Sequence, residues 1–536
     1  MGLKIAIKGK TVYQCSWKRI LYMVCFCFFC IVDQRIMTCN SNSGERELFR
    51  DLMGVGMAVL ILSHYSWREF AKRKLPYLIW TAAAALCLPA VYVKGLPQQP
   101  FPADWLVVMI DIWIWGYVLI CTFINVFLER KLPRLRRGFA AVWLLMMLLM
   151  IVSRSELLWP LCYLIMFGTF YLTRYEAAER EDLFQGALSG IIMAFFLFQG
   201  HCFLFRPYDR VRYAGWYANS NNNALFYLIV LAAVLTKLYF VTQEKKNKWS
   251  RLYYLLGVGT VLSFIFMTIG RAAWITAFIM TAAFLFFMCG AEKKKTFIRN
   301  GFILVLCACL TFPFCFAAAR YIPPLRHHPV WWFTDEYSES RVHSWDPWNS
   351  EKYVEIDDFF EESMGRVAQS VQELLEHLFP ALKVSAAESE KAALLTLEEG
   401  TDSYLVRTSI YKHFWSELNW FGHKESEIGV QMTPEYWVGH AHNIFLQFGT
   451  DFGIPVMILF LGILLWSLGI HFLRWKEEKD KKWVGGFLWL MIPLIFGMFE
   501  YAWGAGSLTL LVMFCSWRQV ICERDDDRDD NRKKLD

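Results

Sequence analysis

Long apolar runs recur along the whole chain, and short charged segments separate them. Each run is close to the length of about 20 residues that a helix needs to cross the hydrocarbon core of a bilayer. The chain has 536 residues, of which 56% are hydrophobic and only 19% are charged, whereas soluble domains carry more charge. These features predict an all-α polytopic membrane protein.

Positive charge between the runs predicts which side of the membrane each loop faces, because lysine and arginine are retained on the cytoplasmic side. Basic clusters follow the second, fourth and eighth runs, at residues 68–74, 130–137 and 245–251. Counting runs against these clusters predicts about fourteen transmembrane helices with both termini inside. About twelve is the alternative, because the first run is short and residues 500–504, between the last two runs, could form a re-entrant hairpin.

This topology divides the chain into four parts. We predict an N-terminal transmembrane bundle of about eleven spans in residues 1–319, and an extracytoplasmic loop domain in residues 320–441. The C-terminal transmembrane helices occupy residues 442–522, and residues 523–536 form a charged cytoplasmic tail. Within the loop, apolar residues recur at helical spacing among acidic ones, which predicts helices lying over the bundle. These predicted helices cover residues 351–378 and 386–399, and residues 404–418, which include Arg407, are predicted to be helical as well.

Charge and cysteine usage exclude some classes of function. The net charge of +6 lies mostly in the short clusters between the runs. No basic patch with interleaved aromatics stands out, so we expect no nucleic-acid partner. Most of the 15 cysteines lie inside apolar runs, where a thiol behaves as a small hydrophobe, and none lies in residues 320–441. We therefore expect neither disulfides nor a metal site, and no cofactor.

Three arginines and a histidine fall on the side of the membrane where positive charge is not expected. The arginines, Arg212, Arg271 and Arg407, come from three separate segments, and His442 opens the apolar run that follows the large loop. Each has an ordinary explanation when taken alone, because arginines anchor helix ends at the interface and a histidine at a helix start can cap it. Their convergence on one face predicts a site at the outer surface.

Other polar residues near these positions have competing interpretations. Asn219 either N-caps the eighth run or contributes to the site. Asp111 and Glu500 lie within or beside apolar runs, where a carboxylate is energetically expensive. They either form a proton relay or, more simply, pair with a neighbouring basic side chain. We interpret His440 and the pair at residues 327–328 as loop histidines.

The order of these motifs gives a resemblance. They are, along the chain, Arg212-x-x-Gly215-x-x-x-Asn219-x-Asn221, Gly270-Arg271-Ala272, Arg407, and His442-Asn443-x-x-Leu446-Gln447-x-x-x-Asp451-x-Gly453. In motif order, sidedness and loop size, residues 206–468 resemble the O-antigen ligase and O-antigen polymerase superfamily of bacterial membrane glycosyltransferases. The resemblance implies a GT-C-like helical bundle with one large extracytoplasmic loop, an undecaprenyl-diphosphate-linked glycan as donor, and no metal.

The resemblance also implies roles for single residues. Arg212 and Arg271 would contact the donor diphosphate, and His442 would be the catalytic base. Weaker, substrate-binding candidates are Asn443, Arg407, Asn219, Asn221 and Arg210. The chain departs from the family pattern at Gly270, where serine is frequent, at Asp451, where glutamate is frequent, and at Pro455, where glycine is frequent. None of these departures removes a reacting group, although Gly270 bears on how the turn before Arg271 is held.

We therefore expect a multi-pass protein of the bacterial cytoplasmic membrane that transfers a glycan from this donor to a saccharide or glycolipid acceptor at the outer face. Attack of the acceptor hydroxyl opposite the leaving diphosphate would invert the anomeric centre. Polymerase and ligase share these motifs, so both activities stay open. A lipid-linked oligosaccharide flippase without covalent chemistry is the alternative, and a scaffold whose outer loop binds partners is a third interpretation.

Overall fold

The fold is given by a computed structural model, which describes most of the chain in separate stretches. Several predicted features lie outside these stretches, namely Arg210, Asp111, the helix at residues 386–399 and the tail at residues 523–536. The described residues are 2–7, 10–38, 44–65, 72, 74–95, 113–123, 135–155, 158–173, 175–209, 211–217, 219–244, 247–289, 294–326, 346–350, 352–378, 404–424, 427–433, 436–501 and 507–521.

Helices make up most of the described chain, after an N-terminal hairpin of β1 (Gly2–Ile7) and β2 (Lys10–Ser16). The helices before the large loop are α1 (Trp17–Thr38), α2 (Gly44–Leu62), α3 (Leu75–Gly95), α4 (Trp113–Phe123), α5 (Arg137–Val152), α6 (Leu158–Phe167), α7 (Ala177–Phe205), α8 (Ser220–Gln243), α9 (Lys248–Met267), α10 (Arg271–Cys289) and α11 (Lys294–Arg326).

The second part of the chain contains the loop elements and the last helices of the bundle. A second antiparallel hairpin joins β3 to β4 just before His442, and Val430 pairs with Val438 in it. The elements are α12 (Ile356–Leu378), α13 (Tyr404–Ser416), β3 (Val430–Thr433), β4 (Tyr436–Val438), α14 (Ile444–Phe452), α15 (Ile454–Glu478), α16 (Lys481–Ile495) and α17 (Leu508–Ile521).

Eight of the described helices are long and apolar enough to cross a membrane, namely α1, α7, α8, α9, α10, α11, α15 and α16 with its continuation to Met498. Shorter apolar helices accompany them, at α3, α4, α5, at Trp159–Leu172 and at α17. The predicted class of an all-α membrane protein therefore agrees with the fold, which carries strand only in two short hairpins among the described residues.

The core of the bundle is organised around α8. This helix is apolar on every side and nearly all of it is buried, from Asn223 to Val241, as expected for a helix that has neighbours all round it. It packs against α7, α9, α10 and α16. Its first turn therefore lies where the ends of several helices meet, and residues just before and inside that turn contact other segments.

One predicted transmembrane helix is in fact two helices. The apolar run at residues 442–472 predicts a single transmembrane helix, but two helices, α14 and α15, meet at Gly453. Gly453 has φ +98°, which side-chain-bearing residues rarely adopt, and Pro455 lies in the first turn of α15, where proline is favoured. The short helix α14 thus stands apart from the membrane-spanning helix α15.

The first part of the large loop is attached to the bundle by Arg320, which lies in α11 and is fully buried. Its guanidinium donates to the Val354 carbonyl at 2.8 Å and to the Glu355 carboxylate at 2.9 Å. Helix α12 follows directly, and its Phe359 ring packs on Phe312 with ring centroids 5.6 Å apart. These contacts confirm a predicted loop helix lying over the bundle, and α13 confirms the predicted helix at residues 404–418.

A backbone seam attaches the second part of the loop to the junction of α14 and α15. The His423 N–H donates to the Thr450 carbonyl at 2.8 Å, and the Ile454 N–H donates to the Asn419 carbonyl at 2.8 Å. A Cβ added at Gly422 would stand 2.0 Å from the Asp451 carbonyl oxygen. The two backbones therefore lie too close for any side chain at this point.

The end of the bundle that carries α12 and α13 is called the loop end below. At the opposite end, charged residues of α1 and α7 pair across the helix interface. Arg19 donates to Asp182 at 2.9 Å, Lys18 pairs with Glu179, and His64, just after α2, lies 3.0 Å from Glu179 through its Nδ1. These ion pairs connect α1, α2 and α7.

Candidate active site

A buried carboxylate, Glu500, lies at the centre of the polar cluster at the loop end. It follows α16 and one turn of 3-10 helix, Phe496–Met498. Its N–H donates to the Phe496 carbonyl at 3.0 Å. The residue is only 6% exposed. A carboxylate so shielded from water needs hydrogen-bond donors and opposite charge around it, and three side chains from separate segments provide them.

Arg407 is the first of these partners and comes from the loop helix α13. Its Nη2 donates to Glu500 Oε1 at 2.5 Å, and its Nη1 donates to the Phe499 carbonyl at 2.7 Å. An arginine that donates both to a carboxylate and to the adjacent backbone carbonyl fixes the position of that backbone, since its donors lie in one plane. Arg407 therefore joins the large loop to the segment after α16.

Asn221, in the first turn of α8, is the second partner. Its Nδ2 donates to Glu500 Oε1 at 2.9 Å, while its Oδ1 accepts a hydrogen bond from Arg212 Nη2 at 2.6 Å. Arg212 also donates through Nε to the Thr268 carbonyl at 3.3 Å. The asparagine thus bridges an arginine and the central carboxylate, and Arg212 is held at the turn between α9 and α10.

Arg271 begins α10 directly after this turn and is partly exposed. A Cβ added at the preceding Gly270 would make ordinary van der Waals contacts, 3.4 Å from Thr268 Oγ1 and 4.0 Å from Asn221 Oδ1. The Cβ of the serine that is frequent in the resembling family would therefore fit here. Arg271 shares the turn whose Thr268 carbonyl binds Arg212, so the two predicted diphosphate contacts lie at neighbouring positions.

His442 is the third partner of Glu500, with its Nδ1 3.2 Å from Glu500 Oε2. Its backbone has φ +47°, a left-handed conformation in which asparagine, aspartate and histidine are enriched among side-chain-bearing residues. The Tyr411 hydroxyl donates to the His442 carbonyl at 3.1 Å. On the neighbouring residue, the Ala441 N–H donates to Gln447 Oε1 at 2.7 Å. This turn directs the imidazole away from α14 and toward the carboxylate.

Asparagine caps position the two helices that carry the site. Asn219 accepts hydrogen bonds from the N–H groups of Asn221 and Asn222, which confirms it as the N-cap of α8. Asn443 accepts from Phe445 and Leu446 in the same way and caps α14. Its Nδ2 also donates to the Met498 carbonyl at 2.9 Å. Both caps satisfy helix N–H groups that would otherwise lack a partner.

Electrostatics in the cluster favour an ionised Glu500. Burial by itself raises the pKa of a carboxyl, but the hydrogen bond from His442 and the charge of Arg407 outweigh burial and lower the Glu500 pKa. The neighbouring His440, whose ring centroid is 4.2 Å from that of His442, has its pKa lowered to about 4 by burial and by His442. His440 is therefore neutral at physiological pH.

The predicted site residues thus fall into three groups. Arg212, Asn221, Arg407 and His442 belong to one hydrogen-bonded cluster, and Arg271 lies at its edge. Asn219 and Asn443 contribute mainly as helix caps, and Arg210 lies outside the described residues. The functional residue that sequence reasoning left out of the site is Glu500. Its only signal was a carboxylate beside an apolar run, for which pairing with a basic side chain is now confirmed.

Chemically, the cluster combines an imidazole that is oriented by a carboxylate with two guanidinium groups held near it. Since Nδ1 of His442 faces the carboxylate, the tautomer that donates from Nδ1 leaves the lone pair on Nε2, where it can accept a proton. Within the described residues, no group of three His, Cys, Asp or Glu side chains has an arrangement that could hold a metal ion. The cluster is suited to proton transfer beside an anionic group.

Fold and composition define the class as a predominantly helical membrane protein. When compared with models of protein families and with curated proteins, the chain matches none.

Proposed function

We propose that this protein is a glycosyltransferase of the O-antigen ligase or polymerase type. It transfers a glycan from an undecaprenyl-diphosphate-linked donor to a hydroxyl of a saccharide or glycolipid acceptor. In this proposal the protein is a GT-C-like bundle of about twelve to fourteen spans in the bacterial cytoplasmic membrane. The loop end faces outward, so the Glu500 cluster meets the donor at the outer surface.

The single observation that carries the proposal is the convergence on Glu500. Arg407 and His442 contact its carboxylate directly, and Arg212 reaches it through Asn221. The contacting residues lie far apart in sequence, at separations of 58 for His442 and 279 for Asn221. An arginine that only anchors a helix end to head groups needs no such shared partner. Convergence of this kind supports a built site at the loop end.

The proposed reaction begins at His442. The acceptor hydroxyl attacks the anomeric carbon, its proton passes to Nε2 of the imidazole, and the bond from that carbon to the diphosphate oxygen breaks. Glu500 holds the ring through Nδ1 and stabilises the imidazolium that forms, as the aspartate does in a Ser-His-Asp triad. General-base assistance of this kind contributes about a hundredfold to ten-thousandfold in rate.

The leaving diphosphate gains negative charge as the bond breaks, and this charge needs a permanent positive partner. Arg212 donates to the Thr268 carbonyl in the turn between α9 and α10, and Arg271 begins α10 directly after that turn, so in this proposal the two guanidinium groups bind one diphosphate. Arginine donors are planar, remain charged at all relevant pH values and bind phosphate oxygens in pairs. The positive charge of Arg407 is instead directed at Glu500, which gives it a positioning role.

Exposed tryptophans supply surfaces for the sugar chains of donor and acceptor. Trp415 lies in α13 and Trp420 follows that helix. Trp437 lies in β4, five residues before His442. All three are more than half exposed. Aromatic faces at a wet surface are suited to stacking on saccharide rings, so these residues are our candidates for guiding the glycan.

The test uses the purified full-length protein in liposomes with undecaprenyl-diphosphate glycan and candidate acceptors, followed by product sizing. His442→Asn is the matched inactive variant, because asparagine tolerates the left-handed backbone at this position but cannot act as the base. His413→Asn, on the loop helix α13, controls for loss of a histidine at the loop end.

A ladder of products identifies a polymerase, and a single transfer identifies a ligase; both support the proposal. Movement of the donor across the bilayer without any product, unchanged in His442→Asn, overturns the proposal in favour of a flippase. An experiment that gives neither product nor donor movement with any of the candidate acceptors also overturns the proposal.

A further inference from the structure

A cleft opens between four helices at the end of the bundle opposite the loop. Its walls come from the last turns of α8 and α10 and the first turns of α9 and α11. The space between these walls, counted together with the open solvent at the mouth, is about 300 Å³. Most of the lining is apolar, and it consists of Leu238, Leu255, Phe284, Leu285, Met288, Ile303 and Leu304. This cleft is separate from the Glu500 cluster, which lies at the other end of α8.

Three polar side chains, Arg251, Thr242 and Asn300, also line the cleft, and each has polar atoms without a partner among the described residues. The Arg251 guanidinium makes no hydrogen bond or ion pair with any residue that the structure describes. Thr242 Oγ1 and Asn300 Oδ1 are buried and make no hydrogen bond within the described chain. Buried polar groups of this kind normally have a partner, so a ligand that supplies both an anion and a donor would complete them.

We propose that this cleft binds the headgroup of an anionic phospholipid from the leaflet at this end of the bundle. The phosphate accepts hydrogen bonds from Arg251 and from the Thr242 hydroxyl, while a headgroup hydroxyl donates to Asn300 Oδ1. The acyl chains lie against the apolar walls. Basic pockets between transmembrane helices bind anionic lipid in this way, and phosphatidylglycerol carries both the phosphate and the hydroxyls.

Charge around the mouth of the cleft favours an anion. Lys248 lies three residues before Arg251 on α9, and Arg299 lies four residues before Ile303 on α11, so helical spacing places both on the cleft side of their helices. Both side chains are exposed. The carboxylate of Glu244, the residue that follows α8, lies 3.7 Å from Lys481. A lipid is favoured over a free phosphate, because apolar residues make up most of the lining.

The experiment titrates phosphatidylglycerol into the purified full-length protein in detergent and counts retained lipids by native mass spectrometry. Phosphatidylcholine and inorganic phosphate are the comparison ligands. Arg251→Gln removes the charge within the cleft, and Thr242→Val removes the hydroxyl at constant shape. Arg474→Gln, in the last turns of α15 and outside the cleft lining, is the matched control for general attraction at this end of the bundle. Arg251→Gln is expected to weaken phosphatidylglycerol binding about tenfold or more, since a charge-assisted hydrogen bond is lost.

Thr242→Val is expected to weaken binding by a smaller factor, about threefold, and Arg474→Gln by less than about twofold. Phosphatidylglycerol binding that is equal in Arg251→Gln and the parent overturns the proposal, and so does equal binding of phosphatidylcholine. If inorganic phosphate alone binds as tightly as the lipid, the cleft is a free-anion site and the lipid assignment is wrong. Glycan transfer is not part of this readout, so the lipid site and the proposed function stand or fall separately.

Discussion

Both ends of the helical bundle contain a histidine in contact with a buried or half-buried glutamate, and the two contacts differ in what surrounds them. At the loop end, His442 Nδ1 lies 3.2 Å from Glu500. At the opposite end, His64 Nδ1 lies 3.0 Å from Glu179. The distances are alike, so the distance alone cannot separate a candidate catalytic pair from a structural one.

The surroundings separate the two pairs. Glu179 also receives Lys18 from α1, and its partners lie on helices that pack side by side or directly after one. Glu500 lies outside any helix and binds side chains from α8, from the loop helix α13 and from a left-handed turn. The ion pairs between packed helices stabilise the bundle. In the proposed function, the carboxylate shared by turns and a loop helix instead orients the groups that act on substrate.

The largest predicted effect is a difference between the two histidines. His442→Asn should lower glycan transfer by about a hundredfold or more, because the general base is lost. His64→Asn should leave transfer within about twofold of the parent, since the change is remote from the site. Initial rates of donor consumption by the purified proteins in liposomes measure both. Equal losses in the two variants would show that the comparison has no functional meaning.

The next largest predicted difference in transfer is between Arg212 at the candidate site and Arg19 at the opposite end of the bundle. Arg212→Lys should reduce transfer by about tenfold to a hundredfold, because an ammonium cannot bind Asn221, the Thr268 carbonyl and a diphosphate in one plane. Arg19→Lys, in the ion pair with Asp182, keeps the same charge at the opposite end and should retain transfer. Near-normal turnover of Arg212→Lys would remove this residue from the donor site.

Glu500→Gln should lower transfer on the order of tenfold, since one charge-assisted hydrogen bond to the imidazole is replaced by a weaker one. The matched change, Glu179→Gln, should affect thermal stability but not transfer. Rates at saturating donor, together with thermal unfolding in detergent, distinguish the two outcomes. Transfer that survives in Glu500→Gln at the parent rate would reduce Glu500 to a purely structural residue.

Glu500→Gln should also change how the stability of the protein depends on pH under acidic conditions. The Glu500 pKa is lower in the folded protein than its ordinary value of 4.5, so the unfolded chain binds more protons there as the pH falls. The stability that Glu500 contributes is therefore present above pH 4.5 and is lost as the pH drops through its lower pKa in the folded state. Thermal midpoints measured from pH 6 down to about pH 3 should fall less steeply in Glu500→Gln than in the parent.

The smallest predicted effect compares two helix caps. Asn219→Ala should cost about 1 kcal/mol of stability through loss of the cap of α8, and it should also lower transfer slightly, since Asn221 lies in the capped turn. Asn247→Ala removes the comparable cap of α9 at the opposite end and should cost similar stability with no change in transfer. A transfer defect in Asn247→Ala equal to that in Asn219→Ala would contradict this pairing.

Local sequence signals predicted much of the fold. The helices α12 and α13 were readable from apolar residues at helical spacing, and the cap at Asn219 from its position before an apolar run. The break at Gly453 was missed because the flanking residues are apolar on both sides. Its signal is the glycine two residues before Pro455, a combination that often marks the start of a helix.

The site was predicted only in part, because its residues lie far apart in the sequence. Arg212, Arg407 and His442 were recognised because positive charge on the predicted outer side is unusual. The role of Glu500 was not, because nothing in its local sequence shows that residues 221, 407 and 442 lie around it. Which side chains share a carboxylate depends on how α8, α13 and the His442 turn pack, and that packing is a property of the whole bundle.

The backbone seam between residues 419–423 and 450–454 also limits how the site could admit a bulky glycan. Because no side chain fits between the two backbones at Gly422 and Gly453, this part of the loop cannot slide over the membrane helices. Any swing of α13 away from Glu500 must pivot between the end of that helix at Ser416 and the fixed Asn419. Such a swing would also break the hydrogen bonds from Arg407 to Glu500 and to the Phe499 carbonyl, so any opening of the site must begin with the release of that arginine.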